Sequence, residues 1–158
     1  MKKLEKEISK ASQQNQPLCL ALCEVDNLEK IYQAYGQDIG DFLLRRVKQH
    51  IRSELRFFDS VGHKGTNEIL LVFNCSEDNA KNIFERIRFS IENTPFYYEQ
   101  NIIQITISCG FTVYIPSLGE RNSRLLLETA DKALYSAKKN GQNAVVCFTS
   151  NELSASEF

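Results

Sequence analysis

Leu18-Cys19-Leu20-Ala21-Leu22-Cys23-Glu24-Val25 is an unbroken apolar run that ends on an acid. A strand covered on both faces needs such a run, whereas a half-exposed strand would alternate apolar with polar residues. This strand therefore belongs in the middle of a sheet, with layers packed above and below it. Upstream, residues 2–14 are charged, with Leu4 and Ile8 four apart, and Pro17 closes the segment. We expect a linker helix over residues 1–16. Downstream, Asp26 is placed to cap a helix through Tyr35, Gly36 and Gly40 bracket a turn, and Asp41 opens a longer helix. Phe42, Leu43, Val47, Ile51 and Leu55 follow the helical period on that element.

The rest of the chain alternates in the same manner. Residues 60–63 and 68–73 read as a hairpin joined across Lys64-Gly65-Thr66-Asn67. Ser76 caps a helix to about Asn93, with Ala80, Ile83, Phe84, Ile87 and Ile91 on one face and Pro95 as its stop. Residues 96–99 and 102–113 read as strands. Asn122 or Ser123 opens a last long helix that Asn140-Gly141 ends. Residues 144–148 form a final strand, and a polar tail over 150–158 is expected to be flexible. Strands and helices that alternate without strict β-α-β regularity predict an α/β sandwich with a mixed central sheet.

At 158 residues the chain has the length of one domain. Its 42% apolar and 25% charged residues are ordinary for a globular protein. A net charge of -1 argues against a non-specific nucleic-acid binder, which carries a basic excess. The N-terminal charges are followed by no apolar core, so no signal peptide is read, and no run approaches the length of a membrane span. Five cysteines, an odd count with no C-x-x-C pair, indicate neither a disulfide framework nor a zinc site. Cys19 and Cys23 would stand about 13 Å apart along one strand, too far to bond. All five sit in or beside apolar runs and read as core residues kept reduced in a cytosol.

Four stretches, in order, are similar to a known family. The first is Glu24-Val25-Asp26-Asn27-Leu28-Glu29-Lys30-Ile31 with Tyr35-Gly36-Gln37-Asp38-Ile39-Gly40-Asp41. The second is Gly65-Thr66-Asn67-Glu68-Ile69. The third is Ile105-Thr106-Ile107-Ser108-Cys109-Gly110, and the fourth runs from Ala130-Asp131-Lys132-Ala133-Leu134-Tyr135 through Lys138 to Gly141-Gln142-Asn143. Together they resemble the GGDEF, or diguanylate cyclase, domain over roughly residues 18 to 148. The resemblance implies a GGDEF-like domain over 17–149 with the three-layer fold of nucleotidyl cyclases, a mixed sheet flanked by helices. It also implies a bacterial, cytoplasmic setting.

The family joins two GTP molecules into cyclic di-GMP, with carboxylates holding divalent metals against the phosphates. The resemblance places the metal ligands at Glu24, at the Val25 backbone and at Asn67, and leaves Glu68 as the residual catalytic carboxylate. Glu24 stands for an Asp and is one methylene longer. Asn67 is a neutral amide where the family has a carboxylate. Thr66 replaces a glycine whose φ freedom a β-branched residue lacks. GTP-binding positions map to Tyr32, Asp41 and Lys138. Tyr32 replaces a base-reading asparagine and cannot copy its paired donor and acceptor. Glu29 replaces a lysine, and Gln142 replaces an arginine that helps grip phosphate. These departures gather in one pocket, so we expect catalysis to have been abandoned.

Arg56-Phe57-Phe58-Asp59 stands before Gly65 at the spacing of the family's R-x-x-D inhibitory site, and Arg86 falls where a second helix adds an arginine. In the family this site binds cyclic di-GMP. Guanidinium groups stack on guanine or bond its O6 and N7 edge, and they neutralise phosphates. From the residues alone, Arg56 serves equally as a favourable charge at a helix end, and Arg86 as one of a solvated basic face with Arg88 and Lys81. The resulting expectation is a receptor or regulatory domain that binds cyclic di-GMP at Arg56, Asp59 and Arg86. The alternatives are a weak diguanylate cyclase or slow nucleotide hydrolase, and a dimerisation scaffold that binds no nucleotide. The implied partners are cyclic di-GMP, GTP, and a second copy or a signalling domain, with no nucleic acid and no membrane contact by this chain. No cofactor is required beyond magnesium or manganese where GTP is bound.

Overall fold

The computed structural model describes residues 2–55, 60–64, 67–118 and 122–149, with 60–64 described by their backbone. The central strand β1 (Leu18–Val25) lies in the middle of a five-stranded sheet of order β2-β3-β1-β6-β7. It pairs antiparallel with β3 (Glu68–Asn74) on one side and with β6 (Ile107–Tyr114) on the other. β2 (Ser60–Lys64) forms one edge and β7 (Val145–Cys147), parallel to β6, forms the other, which makes the sheet mixed.

Alternation along β1 divides the core in two. Cys19, Ala21, Cys23 and Val25 face a layer built from α3 (Gln37–Glu54) and α4 (Glu77–Glu92). Leu18, Leu20 and Leu22 face α1 (Lys2–Gln14) and α5 (Ser123–Lys139), which contribute Leu4, Ile8, Ala11, Leu126, Ala130 and Leu134. Both faces are dry, as the unbroken apolar run requires. The architecture is thus the three-layer α/β sandwich with a mixed sheet expected from the sequence. β4 (Phe96–Tyr98) and β5 (Asn101–Ile103) pair only with each other, beside the α3 and α4 layer.

Three local expectations change. The single strand expected over 102–113 is two, β5 and β6, in different sheets, with residues 104–106 outside either. Backbone and side chain of Thr106 are spent instead on Asp26, whose N–H donates to the Thr106 carbonyl at 2.9 Å. The expected turn at Gly36 to Gly40 is shorter. Gly36, at φ 92°, ends α2 (Leu28–Tyr35), and α3 begins at Gln37 with Gly40 inside it. A Cβ on Gly40 would stand 2.1 Å from a Tyr32 ring carbon, so the ring packs directly on the bare backbone there. Finally, Asp26 caps no helix: Asn27, at φ 57°, precedes α2 and makes no side-chain cap bond. The Ser76 and Asn122 caps do form, accepting from Asn79 N and Leu125 N.

Candidate functional site

Glu24 is the last even-numbered residue of β1, on the same face as Leu22 and therefore toward α5. Its direct cross-strand neighbours are Glu68 on β3 and Ser108 on β6. Like charges placed opposite each other in a sheet destabilise it unless a cation intervenes. The last turn of α5 supplies one: Lys138 Nζ stands 2.7 Å from Glu24 Oε1. Lys138 reaches this point because α5 lies against the sheet with no gap. A Cβ on Gly110 of β6 would sit 2.0 Å from the backbone nitrogen of Leu134. Val25, whose backbone the sequence assigned to a metal, pairs with Ile107 and buries its side chain toward α3 and α4.

Asp26 was missed as a site residue by sequence reasoning. It is buried, and its carboxylate accepts from Ser108 Oγ at 2.7 Å, from Thr106 Oγ1 at 2.7 Å and from the Asn143 backbone N–H at 2.9 Å. A buried carboxylate needs its oxygens hydrogen-bonded, and these three donors do so. Asn143 in turn accepts from Arg88, whose guanidinium also meets Glu85 and Glu92 on α4. The network ties the ends of β1, β6 and α5 together. Asn27 Nδ2 donates to Gln142 Oε1 at 3.2 Å, so the residue standing for the family's arginine closes onto the loop after β1. The only signal for this network in the sequence was the Thr-x-Ser alternation at 106 and 108.

On the other side of α2 lies a cleft of about 840 Å³ lined by Tyr32, Asp41, Arg45, Lys48, Asn67 and Tyr98, among others. Tyr32 and Asp41, both expected at a nucleotide site, do meet. The Tyr32 hydroxyl donates to Asp41 Oδ1 at 3.1 Å, and Gln37 Nε2 donates to the same oxygen at 3.1 Å. Burial and this hydrogen bond push the Tyr32 phenol pKa up. At the basic end of the cleft, burial and the neighbouring Arg52 charge push the Lys48 pKa down. Asn67 is exposed on the rim.

Arg86 projects from α4 to the end of α3. Its Nε lies 3.0 Å from Glu54 Oε2, and a second guanidinium nitrogen donates to the Glu54 carbonyl at 3.1 Å. Arg86 and Glu54 border a second cleft of about 650 Å³ with Phe73, Asn74 and Cys75. Arg56 and Asp59, the other two residues assigned to cyclic di-GMP, lie outside the described residues, as do Gly65 and Thr66.

A divalent cation, implied by the family resemblance, does not fit the donors as they stand. Magnesium wants near-octahedral oxygen ligation. Glu24 is engaged by an ammonium, and Asn67 offers a neutral amide. Among the described residues no three acidic, histidine or cysteine groups converge in a way that could hold a metal ion.

The chain is similar to known proteins along nearly its whole length. The family model described as "Diguanylate cyclase, GGDEF domain" matches residues 1–144. Diguanylate cyclase A of Treponema denticola is 32% identical over 145 residues, which span 91% of this chain and 38% of that protein. The chain thus covers little more than a third of that curated relative. The active GGEEF domain of a diguanylate cyclase from Vibrio cholerae superposes with a TM-score of 0.83 at 26% identity, covering 93% of this chain and 92% of that one. Diguanylate cyclase SiaD from Pseudomonas aeruginosa, solved in complex with its activator SiaC, gives 0.84 at 28% identity, covering 93% of this chain and 56% of that one. With a family match that takes in every described element but the edge strand β7, this chain belongs to the GGDEF, or diguanylate cyclase, domain family.

Proposed function

We propose that this domain acts in cyclic di-GMP signalling as a receptor rather than as an efficient cyclase, binding cyclic di-GMP through Arg56, Asp59 and Arg86. The observation that carries this reading is the state of the two carboxylates that the family resemblance assigns to nucleotide and metal. Asp41 is occupied by Tyr32 and Gln37, and Glu24 by Lys138. The carboxylate that would read a base and the carboxylate that would hold a metal are therefore both engaged within the chain. A substrate would have to displace these partners before chemistry began, without the second metal carboxylate that Asn67 no longer provides.

Arg86 supports the other half of the reading. It is 58% exposed, and it is held by Glu54, which precedes Arg56 by two positions in the sequence. An exposed guanidinium held by one carboxylate keeps donors for a phosphate or a guanine edge. Calorimetric titration of cyclic di-GMP into the domain tests this directly. Saturable binding at about micromolar affinity, near -8 kcal/mol, is expected for the wild type and is lost in an Arg56→Ala, Asp59→Ala variant. Absence of heat in the wild type sinks the receptor reading.

A weak cyclase is the second reading. It rests on Glu24 and Glu68, two carboxylates directly opposite each other at one end of the sheet, and on Lys138 beside them. Product analysis after incubation with GTP and manganese checks it, with a Glu24→Ala, Glu68→Ala variant as the blank.

A further inference from the structure

We propose that the Lys138 ammonium stands where a divalent cation would otherwise sit at Glu24, so that metal binding and the Lys138–Glu24 contact exclude each other. The inference rests on reading this end of β1 as the family's nucleotide cleft. It does not rest on the cyclic di-GMP reading.

Three observations converge on it. The sheet register sets Glu24 directly against Glu68, which concentrates negative charge at one spot on one face. Such a pair calls for a cation. Lys138 answers at 2.7 Å, and the pair is partly shielded, with 19% of the Glu24 side chain and 35% of the Lys138 side chain exposed. In that setting the attraction is screened less than at an open surface. Reach is the third point. Glutamate carries its carboxylate one methylene farther from the strand than aspartate would, toward the last turn of α5 where Lys138 sits.

The remaining donors cannot outbid the ammonium. Asn67 brings no charge, and Asp26, two residues on, has its carboxylate committed to Ser108, Thr106 and Asn143. A cation arriving between Glu24 and Glu68 would first have to displace the ammonium that already holds Glu24. An anionic ligand has the opposite relation to the site. Phosphate oxygens compete with Glu24 for the Lys138 ammonium.

Manganese titration followed by the loss of the free-ion paramagnetic resonance signal tests the proposal on the whole chain. Wild type and Lys138→Arg are expected to bind manganese weakly and alike. Lys138→Met is expected to bind at least about tenfold tighter, and Lys138→Met with Glu24→Gln to lose that gain. Lys138→Gln serves as a second uncharged variant if the methionine variant misfolds by circular dichroism. Tight manganese binding by the wild type, no gain in either uncharged variant, or a gain that survives Glu24→Gln would each overturn the proposal. Cyclic di-GMP titration of the same samples separates the two readings. A manganese gain with no cyclic di-GMP binding leaves this inference standing and removes the receptor.

Discussion

The Tyr32 hydroxyl donates to Asp41 at 3.1 Å while the Tyr32 ring lies against Gly40, so one side chain both fills the cleft and occupies the carboxylate behind it. Two helices are involved, α2 for the ring and α3 for its seat. The contact is available only because α3 carries no side chain at that point.

The two glycines under close contact should therefore differ in their tolerance of alanine. At Gly40 the new methyl meets an aromatic ring that can swing toward the open cleft, whereas at Gly110 it meets the backbone of α5. We expect Gly40→Ala to cost about 1 kcal/mol and Gly110→Ala about 3 kcal/mol or more, as overpacking against immovable atoms does. Urea unfolding measures both, and the reverse order would contradict the packing described.

Tyr32 also makes a pH prediction. Its pKa is raised in the folded chain by burial and by Asp41, so the folded state holds the phenolic proton more tightly than the unfolded chain does. That contribution to stability is complete below the ordinary tyrosine range near pH 10, and it is lost as pH rises through the folded value. Tyr32→Phe should flatten this alkaline decline. Chemical denaturation between about pH 8 and 11 is the measurement, and an unchanged slope in the variant would count against the bond.

Asp26 should be the polar residue on which stability depends most. Asp26→Asn keeps the shape but turns one acceptor into a donor facing donors from Thr106, Ser108 or Asn143. The expected loss is about 2–4 kcal/mol. A thermal melt that matches the wild type would show that the network carries no such weight.

Arg86→Ala separates structure from binding. Arg86 is largely exposed in its ion pair with the half-buried Glu54, so stability should change by less than about 1 kcal/mol. Cyclic di-GMP affinity, on the receptor reading, should fall by about tenfold or more. Equal affinity in the variant would take Arg86 out of the ligand site.

The thiols give a test of the core. Cys23 and Cys109 are direct partners across β1 and β6, with sulfurs 2.8 Å apart, and Cys19 is buried four residues back along the same face of β1. Burial pushes the Cys19 and Cys109 thiols up, which suppresses the reactive thiolate. A thiol reagent should therefore reach only Cys75 and Cys147 in the native protein, and all five in denaturant. Rapid native reaction of a third thiol would contradict the burial.

Features that depend on contiguous residues are legible along the chain. The apolar run at 18–25 specified a doubly covered central strand. The helical stripe after Asp41 and the caps at Ser76 and Asn122 placed α3, α4 and α5, because caps and periodicity act within a few residues of where they are written. Tertiary structure decided what depends on which faces meet. The period of two along β1 sends Glu24 toward α5, but only close packing at Gly110 brings Lys138, 114 residues away, within bonding distance. Gly40 looked like turn material because glycine's freedom is visible in sequence, while the Tyr32 ring that packs on the bare backbone there is not. Asp26 looked like a cap for the same reason. Its partners at 106, 108 and 143 become neighbours only when β1, β6 and the end of α5 converge.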